Sequence, residues 1–343
     1  MTTGYVYHPS FLEHDLRGHP ESKDRLTAIL GVLETHGMLA RLVPIQATAI
    51  GQARLERVHD PRYIEQVQRV AARGGGHLDM DTYVSLGSYE AARMAAGGLV
   101  EATRAVLNGD VANAFALVRP PGHHALRGRG MGFCLFNNVA IAARYALAER
   151  SLRRVMIVDF DVHHGNGTQD EFEAEPAVLY ISSHQYPYYP GTGHWDETGL
   201  PAGSHHLVNI PLPGAVGDKG FGRILDEIVT PAARRFQPEL ILVSAGYDAH
   251  WDDPLASMRL TVAGYTQMAR ALKELAQEIC AGRLVFALEG GYHLQALAYS
   301  VLNTFGVLLG DPETAVLDPL GPSPYGERGI DDIVAQVRRV QAL

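Results

Sequence analysis

From Ala112 onward, apolar runs of five to seven residues alternate with longer stretches of helical spacing, the pattern of a parallel sheet covered on both faces. Five runs read as buried strands: Asn113–Val118, Arg154–Val158, Val178–Ser182, Leu240–Ser244 and Leu284–Leu288. Leu207–Ile210 is a weaker sixth, and Gly4–Tyr7 reads as a short first strand. Helical spacing of Leu26, Ile29, Leu30 and Leu33 predicts a helix over Arg25–Leu39, its start marked by Pro20 and Glu21. A second helical stretch, Leu55–Ala72, should break or restart at Pro61. The alanine-rich Ser88–Leu107 is a third, with Gly97 and Gly98 allowing close packing. Between them Gly74, Gly75, Gly76 and HLDMDTYVS read as a flexible loop, with Asp79 and Asp81 as solvated turn residues. Past Gly310 come a proline-rich loop and a last helix, Asp331–Leu343. No internal repeat, low-complexity tract or linker divides the chain, so residues 1–343 are expected to form a single α/β domain.

The residues just past the strands shift attention from fold to chemistry. The first clear strand runs into RPPGHHA, the second into DFDVHH, the third into SHQYPYYPGTGH, the fourth into AGYDAHWDDP and the fifth into EGGYHL. Open α/β sheets bind ligands at the carboxyl ends of their strands. In an extended chain alternate side chains share a face, so Asp159, Asp161 and His163 are expected to project together; the competing reading is that the two acids only cap the next turn.

Composition narrows the classes. The chain has 343 residues, 46% hydrophobic and 20% charged, enough for a substantial core. A net charge of −9 gives no basic footprint for nucleic acid, and a cationic substrate would be welcome. Cys134 and Cys280 form no CxxC pair, which argues against a disulfide framework or thiolate cluster and fits a cytoplasmic setting. The first residues lack a signal-peptide pattern and no apolar stretch reaches membrane-spanning length, so neither secretion nor a membrane is expected.

A catalytic zinc site has three protein ligands and an open position. Asp161 and His163 offer two, and Asp248, beside its own buried strand, is the best-placed third. So oxygen-rich a set also admits iron, cobalt or manganese. His123 and His124, on a tight turn, are candidates for a general base and an electrostatic support, with Asp159 and Asn166 available to fix one imidazole each. Another adjacent pair, His205 and His206, opens a weak strand without acids and reads as structural. Tyr292 could donate to a developing oxyanion, Gly290 and Gly291 letting the backbone come close. Phe133, after Gly132, and Tyr189 are loop aromatics that could wall a narrow slot for an alkyl chain.

Together RPPGHHA, GFCLFNNVAIAA, DFDVHHGNGT, PGTG, AGYDAHWDDPL and LEGGY resemble the zinc-dependent histone deacetylases and their bacterial relatives, acetylpolyamine amidohydrolases among them. The likeness runs from HPESKDRL to LEGGY. Asn166 and the DPL after Asp248 are closer to the class II branch and to bacterial histone deacetylase-like amidohydrolases. The resemblance implies an arginase/deacetylase-like three-layer fold with a single, mostly parallel sheet of about eight strands. It implies one Zn2+ per chain on Asp161, His163 and Asp248, with His123 backed by Asp159, His124 as general base and acid backed by Asn166, and Tyr292 at the transition state. It implies K+ as a structural ion near Asp159, Asp161, His163 and Ser182, tunnel walls at Phe133 and Tyr189 with Gly132 among the substrate-binding residues, and a substrate-gripping acid at Asp81. Tyr189 stands where phenylalanine is common, and His293 where asparagine usually follows the tyrosine.

The expected reaction is hydrolysis of an acetyl or other short acyl amide on a lysine-like side chain of a small molecule or protein. Polyamine-selective relatives carry an acid where Leu255 stands, and a neutral gate cannot repay the desolvation of a buried ammonium. Acetylpolyamine hydrolysis remains the alternative. Readings from other classes are a non-catalytic acyl-ligand binding protein and a manganese ureohydrolase of arginase type. Homo-oligomerisation is left open.

Overall fold

The computed structural model describes residues 2–201 and 203–343. Among the described residues ten strands form: β1 (Thr3–Val6), β2 (Val43–Ile45), β3 (Gly75–His77), β4 (Tyr83–Ser85), β5 (Asn113–Ala116), β6 (Val155–Asp159), β7 (Val178–Gln185), β8 (Leu207–Leu212), β9 (Leu240–Ala245) and β10 (Leu284–Leu288). Eight of them make one sheet in the order β2-β1-β5-β10-β9-β6-β7-β8, with every pairing parallel. Strands β5 to β10 of that sheet are buried at every residue, as expected where both faces are covered. Because the strands run one way, the loops after β5, β10, β9, β6 and β7 open side by side at one edge.

The helices Asp24–Thr35, Leu294–Leu309 and Val262–Cys280 pack in succession, as do Ser88–Asn108 and Asn138–Glu149. Gly97 fulfils its expected role, since an added Cβ would overlap the carbonyl of Thr48. Pro61 restarts the second helical stretch: a short helix ends at Leu55 and Pro61–Ala72 begins anew, its N-cap Asp60 accepting from the N–H of Arg62.

Three expectations are corrected. The segment after Gly74 is a small antiparallel hairpin, β3 with β4, where Gly75 at φ 113° leaves room for the carbonyl of Val84. Pro20 and Glu21 do not start the first helix, which runs over Asp24–Thr35 and stops short of Leu39. Glu21 is instead fully buried between Arg25 and Arg119, its carboxylate 3.0 Å from Arg25 Nη1 and 2.8 Å from Arg119 Nη2. Burial would raise this carboxyl, but Arg119 and His14 outweigh it and hold it well below the usual carboxylate range. Arg119 also donates to the carbonyls of Phe11 and His14, at 2.9 and 2.8 Å, fastening the N-terminal segment to the end of β5.

Candidate active site

Strand β6 ends at Asp159, so alternation alone does not carry Asp161 and His163 to one side, as the extended-chain reading expects. The bend after the strand does so: Asp159 Oδ1 accepts from the N–H of Asp161 at 3.2 Å, and Asp161 Oδ1 accepts from the N–H of His163 at 3.0 Å. The acids thus shape the turn and also point into the site. His163 Nδ1 lies 3.1 Å from Asp161 Oδ1 and 3.2 Å from Asp248 Oδ2. Burial would depress His163, yet the two carboxylates outweigh it and push the imidazole up to about 10.

Donor atoms of Asp161, His163 and Asp248 all lie within 4.8 Å of one another. Backbone glycines make space for them: a Cβ on Gly246 would overlap Asp161, and one on Gly290 would overlap both Asp161 and Asp248. Two carboxylates and an imidazole converging in a buried site leave an excess of negative charge that a cation would neutralise, and the donor set fits a divalent metal. His123, Cys134 and Glu289 form a second close group. Its donors are committed elsewhere: burial first, and then Glu289, push the Cys134 thiol well above its ordinary value, and Glu289 accepts from Gly122 N–H at 2.7 Å and Ser244 Oγ at 3.1 Å.

The tandem histidines enter from the loop after β5. His123 Nδ1 lies 3.0 Å from Asp159 Oδ2, which also accepts from the Tyr180 hydroxyl at 3.0 Å. His124 Nδ1 lies 2.8 Å from Asn166 Oδ1, on the first residue of the helix Asn166–Phe172. Their environments separate them. Burial works against a charge on His123, but Asp159 and Asp161 push it up to about 10. Burial holds His124 well below the ordinary histidine range, and the neighbouring His123 and His163 add to that.

A cavity of about 280 Å³ opens beside these groups; His123, His124, His163, Gly290 and Tyr292 line it, together with Asp81, Gly132, Phe133, Tyr188, Tyr189 and Leu255. Phe133 adopts a left-handed φ of 69°, a strained choice for an aromatic residue. Its ring meets Tyr292 edge to face at 5.8 Å; across the cavity Tyr189 meets His124 the same way at 5.2 Å. Burial raises the Tyr292 phenol well above 10, so it remains a donor. The two loop acids differ from their common reading as turn residues. Asp79 Oδ1 closes the turn, accepting from the N–H groups of Asp81 and Thr82 at 3.2 and 2.8 Å, whereas Asp81 borders the cavity. Ser182 is not in the cavity; it pairs in register with Asp159, and its hydroxyl is 2.9 Å from His184 Nδ1. His206 is structural as read, its Nε2 bonded at 3.1 Å to the carbonyls of Phe172 and Glu173.

Several residues of the site escaped the sequence reading. Arg25 donates from Nε to the carbonyl of Gly291 at 2.8 Å and from Nη2 to that of Glu289, with its guanidinium 5.2 Å from the Tyr292 ring centre. Glu289 supports the histidine turn from below. An acid ending an apolar strand, as in LEGGY, was a usable signal for Glu289; a lone arginine in a helix was not.

Residues 19–308 match the family described as histone deacetylase domain. Over 323 residues the chain is 40% identical to a probable deacetylase of Archaeoglobus fulgidus, covering 93% of this chain and 89% of the relative. It is 38% identical over 304 residues to a histone deacetylase-like amidohydrolase of Pseudomonas aeruginosa, covering 88% and 80%. It is 40% identical over 321 residues to the chloroplastic histone deacetylase 14 of Arabidopsis thaliana, covering 89% and 76%. The crystal structure of the HDA15 HD domain superposes with a TM-score of 0.90 at 38% identity, covering 99% of this chain and 94% of that one. The eight-stranded parallel sheet is therefore that of the arginase/deacetylase-like fold. Among the described residues no helix is long and apolar enough to cross a membrane.

Proposed function

The chain belongs to the histone deacetylase family, and from that premise we propose that it is a zinc-dependent hydrolase removing acetyl or other short acyl groups from lysine-like amides. The observation that carries this reading is the convergence of two histidines in unlike environments, a three-donor metal site and a half-buried phenol on one cavity.

Zinc held by Asp161, His163 and Asp248 would supply a Lewis acid that polarises the acyl carbonyl and acidifies water. His124, with its Nδ1 hydrogen given to Asn166, presents Nε2 as the base that takes a proton from the attacking water and later delivers it to the leaving amine. His123, charged beside Asp159, supports the developing negative charge. Tyr292 donates its hydroxyl hydrogen to the carbonyl oxygen as that oxygen becomes an oxyanion. Gly132, Phe133, Tyr189 and Asp81 line the cavity; in this reading the first three would enclose the alkyl chain and Asp81 would accept from the substrate backbone. Potassium belongs to the same reading as a structural ion held through Asp159, Asp161, His163 and Ser182, and so does a cytoplasmic setting for a chain with two free cysteines.

Leu255 on the cavity wall favours an acyl-lysine substrate over a polyamine, because it offers a dication no charge. The test is a panel of acylated lysine peptides and acetylated polyamines assayed with zinc-loaded protein and compared as kcat/KM. Zinc-dependent acetate release, greatest on acetyl-lysine, is the expected outcome. Preference for acetylspermidine or acetylputrescine would replace the substrate class, and no release from any member would leave the non-catalytic binding protein. One zinc per chain, rather than two manganese ions, separates this chemistry from that of a ureohydrolase.

A further inference from the structure

Tyr292 is carried by a pliable stretch, two glycines with Gly291 at φ 116°, so its direction has to be fixed from outside that stretch. Upstream, Arg25 holds the Gly291 carbonyl. Downstream, the holder is Asp253, a residue of the loop between β9 and the helix Val262–Cys280. Asp253 Oδ2 accepts from the N–H of Tyr292 at 2.7 Å and from that of His293 at 3.0 Å. Its other oxygen accepts from the N–H of Leu255 at 3.0 Å. The Leu255 carbonyl in turn accepts from the Tyr188 hydroxyl at 2.9 Å.

The arrangement is more than a local turn. The Leu255 bond alone would be an ordinary Asx turn, but the two other donors lie 39 and 40 residues further along the chain. Asp253 is buried, 6% exposed, and no ion pair among the described residues involves it; His293 Nε2 pairs with the neighbouring Asp252, at 3.3 Å. A buried carboxyl without a counter-ion is costly: burial and the nearby Asp248 push Asp253 up to about 7, and the three backbone N–H groups offset that only in part. An amide in its place has one acceptor oxygen and cannot accept from both sides.

We propose that Asp253 is a positioning residue that couples the phenol of Tyr292 to the gate at Leu255, one carboxylate setting where the tyrosine points and where the cavity wall stands. The chemical roles of the two coupled residues rest on the deacylase reading; the mechanical link does not.

The test compares Asp253→Asn and Asp253→Ala with the parent, alone and combined with Tyr292→Phe, in zinc-loaded full-length protein. In Asp253→Ala, amide hydrogen exchange should quicken at least about tenfold in both the 290–294 and 254–257 segments, since both lose an acceptor. In the asparagine variant, whose amide keeps one acceptor, one segment should quicken. Zinc content should match the parent while kcat on acetyl-lysine falls roughly 10- to 100-fold, the scale of a small misplacement of a reacting group. On the Tyr292→Phe background the further loss should be no more than about twofold, because the displaced hydroxyl is already gone. A loss that multiplies fully on that background, or exchange in Asp253→Ala that quickens in one segment only or in neither, overturns the proposal. If the alanine variant does not fold, Asp253→Glu, which keeps the charge and shifts both oxygens, replaces it with the same expected pattern. A parent with no acyl-releasing activity would defeat the functional reading and leave exchange to decide the link.

Discussion

Asn166 Oδ1 lies 2.8 Å from His124 Nδ1, in the place that a carboxylate, Asp159, takes behind His123 at 3.0 Å. One imidazole is therefore backed by a neutral amide and the other by a charge, which is what allows two adjacent histidines to take different protonation states. Asn166→Asp would erase the difference. The new anion raises the pKa of His124, so the proton is retained to higher pH and the neutral base appears later. The acid limb of the kcat/KM profile should move up by about 1 to 2 pH units. An unmoved limb would remove His124 from the role of base.

Tyr292 is half-buried, stays protonated at neutral pH, and meets Phe133 edge to face at 5.8 Å. Tyr292→Phe preserves that contact and deletes one donor. Bound zinc, measured by metal analysis, should be unchanged, and kcat should fall about 10²- to 10³-fold, the usual loss of an oxyanion donor. Wild-type turnover on acetyl-lysine peptides would show that the phenol does no such work.

Much of the sheet, and most of the side chains that the fold gathers at the candidate site, could be read from the chain, because buried parallel strands are short apolar runs and polar residues follow immediately after them. Leu284–Leu288 is placed to the residue, and Asp248, 87 residues beyond Asp161, was identified by its strand alone. The features that were not legible depend on neighbours remote in sequence. β2 is an exposed edge strand of VPI, and its Pro44 is tolerated only because edge positions spare an N–H. The hairpin of β3 and β4 lies in a stretch whose glycines read as flexibility, although Gly75 is there for close approach. Glu21 reads as a helix-start acid; only the fold brings Arg119, 98 residues away, against it.

The metal makes a prediction about stability as well as rate. Without a cation, Asp161 and Asp248 are buried close together with only His163 between them. Removing zinc with a chelator should abolish acyl release and lower the melting temperature, and one equivalent of zinc should restore both. At free zinc of about 100 Kd the stabilisation should be near 3 kcal/mol. A melting temperature indifferent to zinc would mean that the three donors do not hold it.

Among the described residues Glu21 is the one anion that pairs with the two fully buried arginines Arg25 and Arg119. Glu21→Gln leaves both guanidinium groups without a counter-charge, a change that costs about 3 to 5 kcal/mol when a buried pair is broken. The urea midpoint should fall accordingly. Because Arg25 also holds the Gly291 carbonyl beside Tyr292, kcat should fall in the variant even under conditions where it is fully folded. A fully active variant would separate the ion cluster from the tyrosine loop.

His59 supplies the clearest pH dependence away from the metal site. Its Nδ1 lies 3.0 Å from the carbonyl of Leu126, which can only accept, and its Nε2 accepts from the N–H of Asn137 at 2.9 Å. The ring is therefore neutral with the hydrogen on Nδ1, and protonating Nε2 would break the second bond. Burial lowers its pKa to about 4, the backbone carbonyls only partly offsetting that. A folded pKa below the unfolded one means that the unfolded chain binds more protons in between, so stability rises with pH there. The contribution is complete above about 6.5, the unfolded value, and is lost as pH falls toward 4, a change of roughly 3 kcal/mol for this residue. His184 and His250, also lowered to about 4, add to the same slope, so the whole-protein curve alone does not isolate His59. His59→Gln isolates it, since an amide can donate to Leu126 and accept from Asn137 without titrating. Denaturant midpoints taken from pH 7 to pH 4 should decline less in the variant than in the parent. Parallel curves would mean that the ring sheds its partners and is solvated before it titrates.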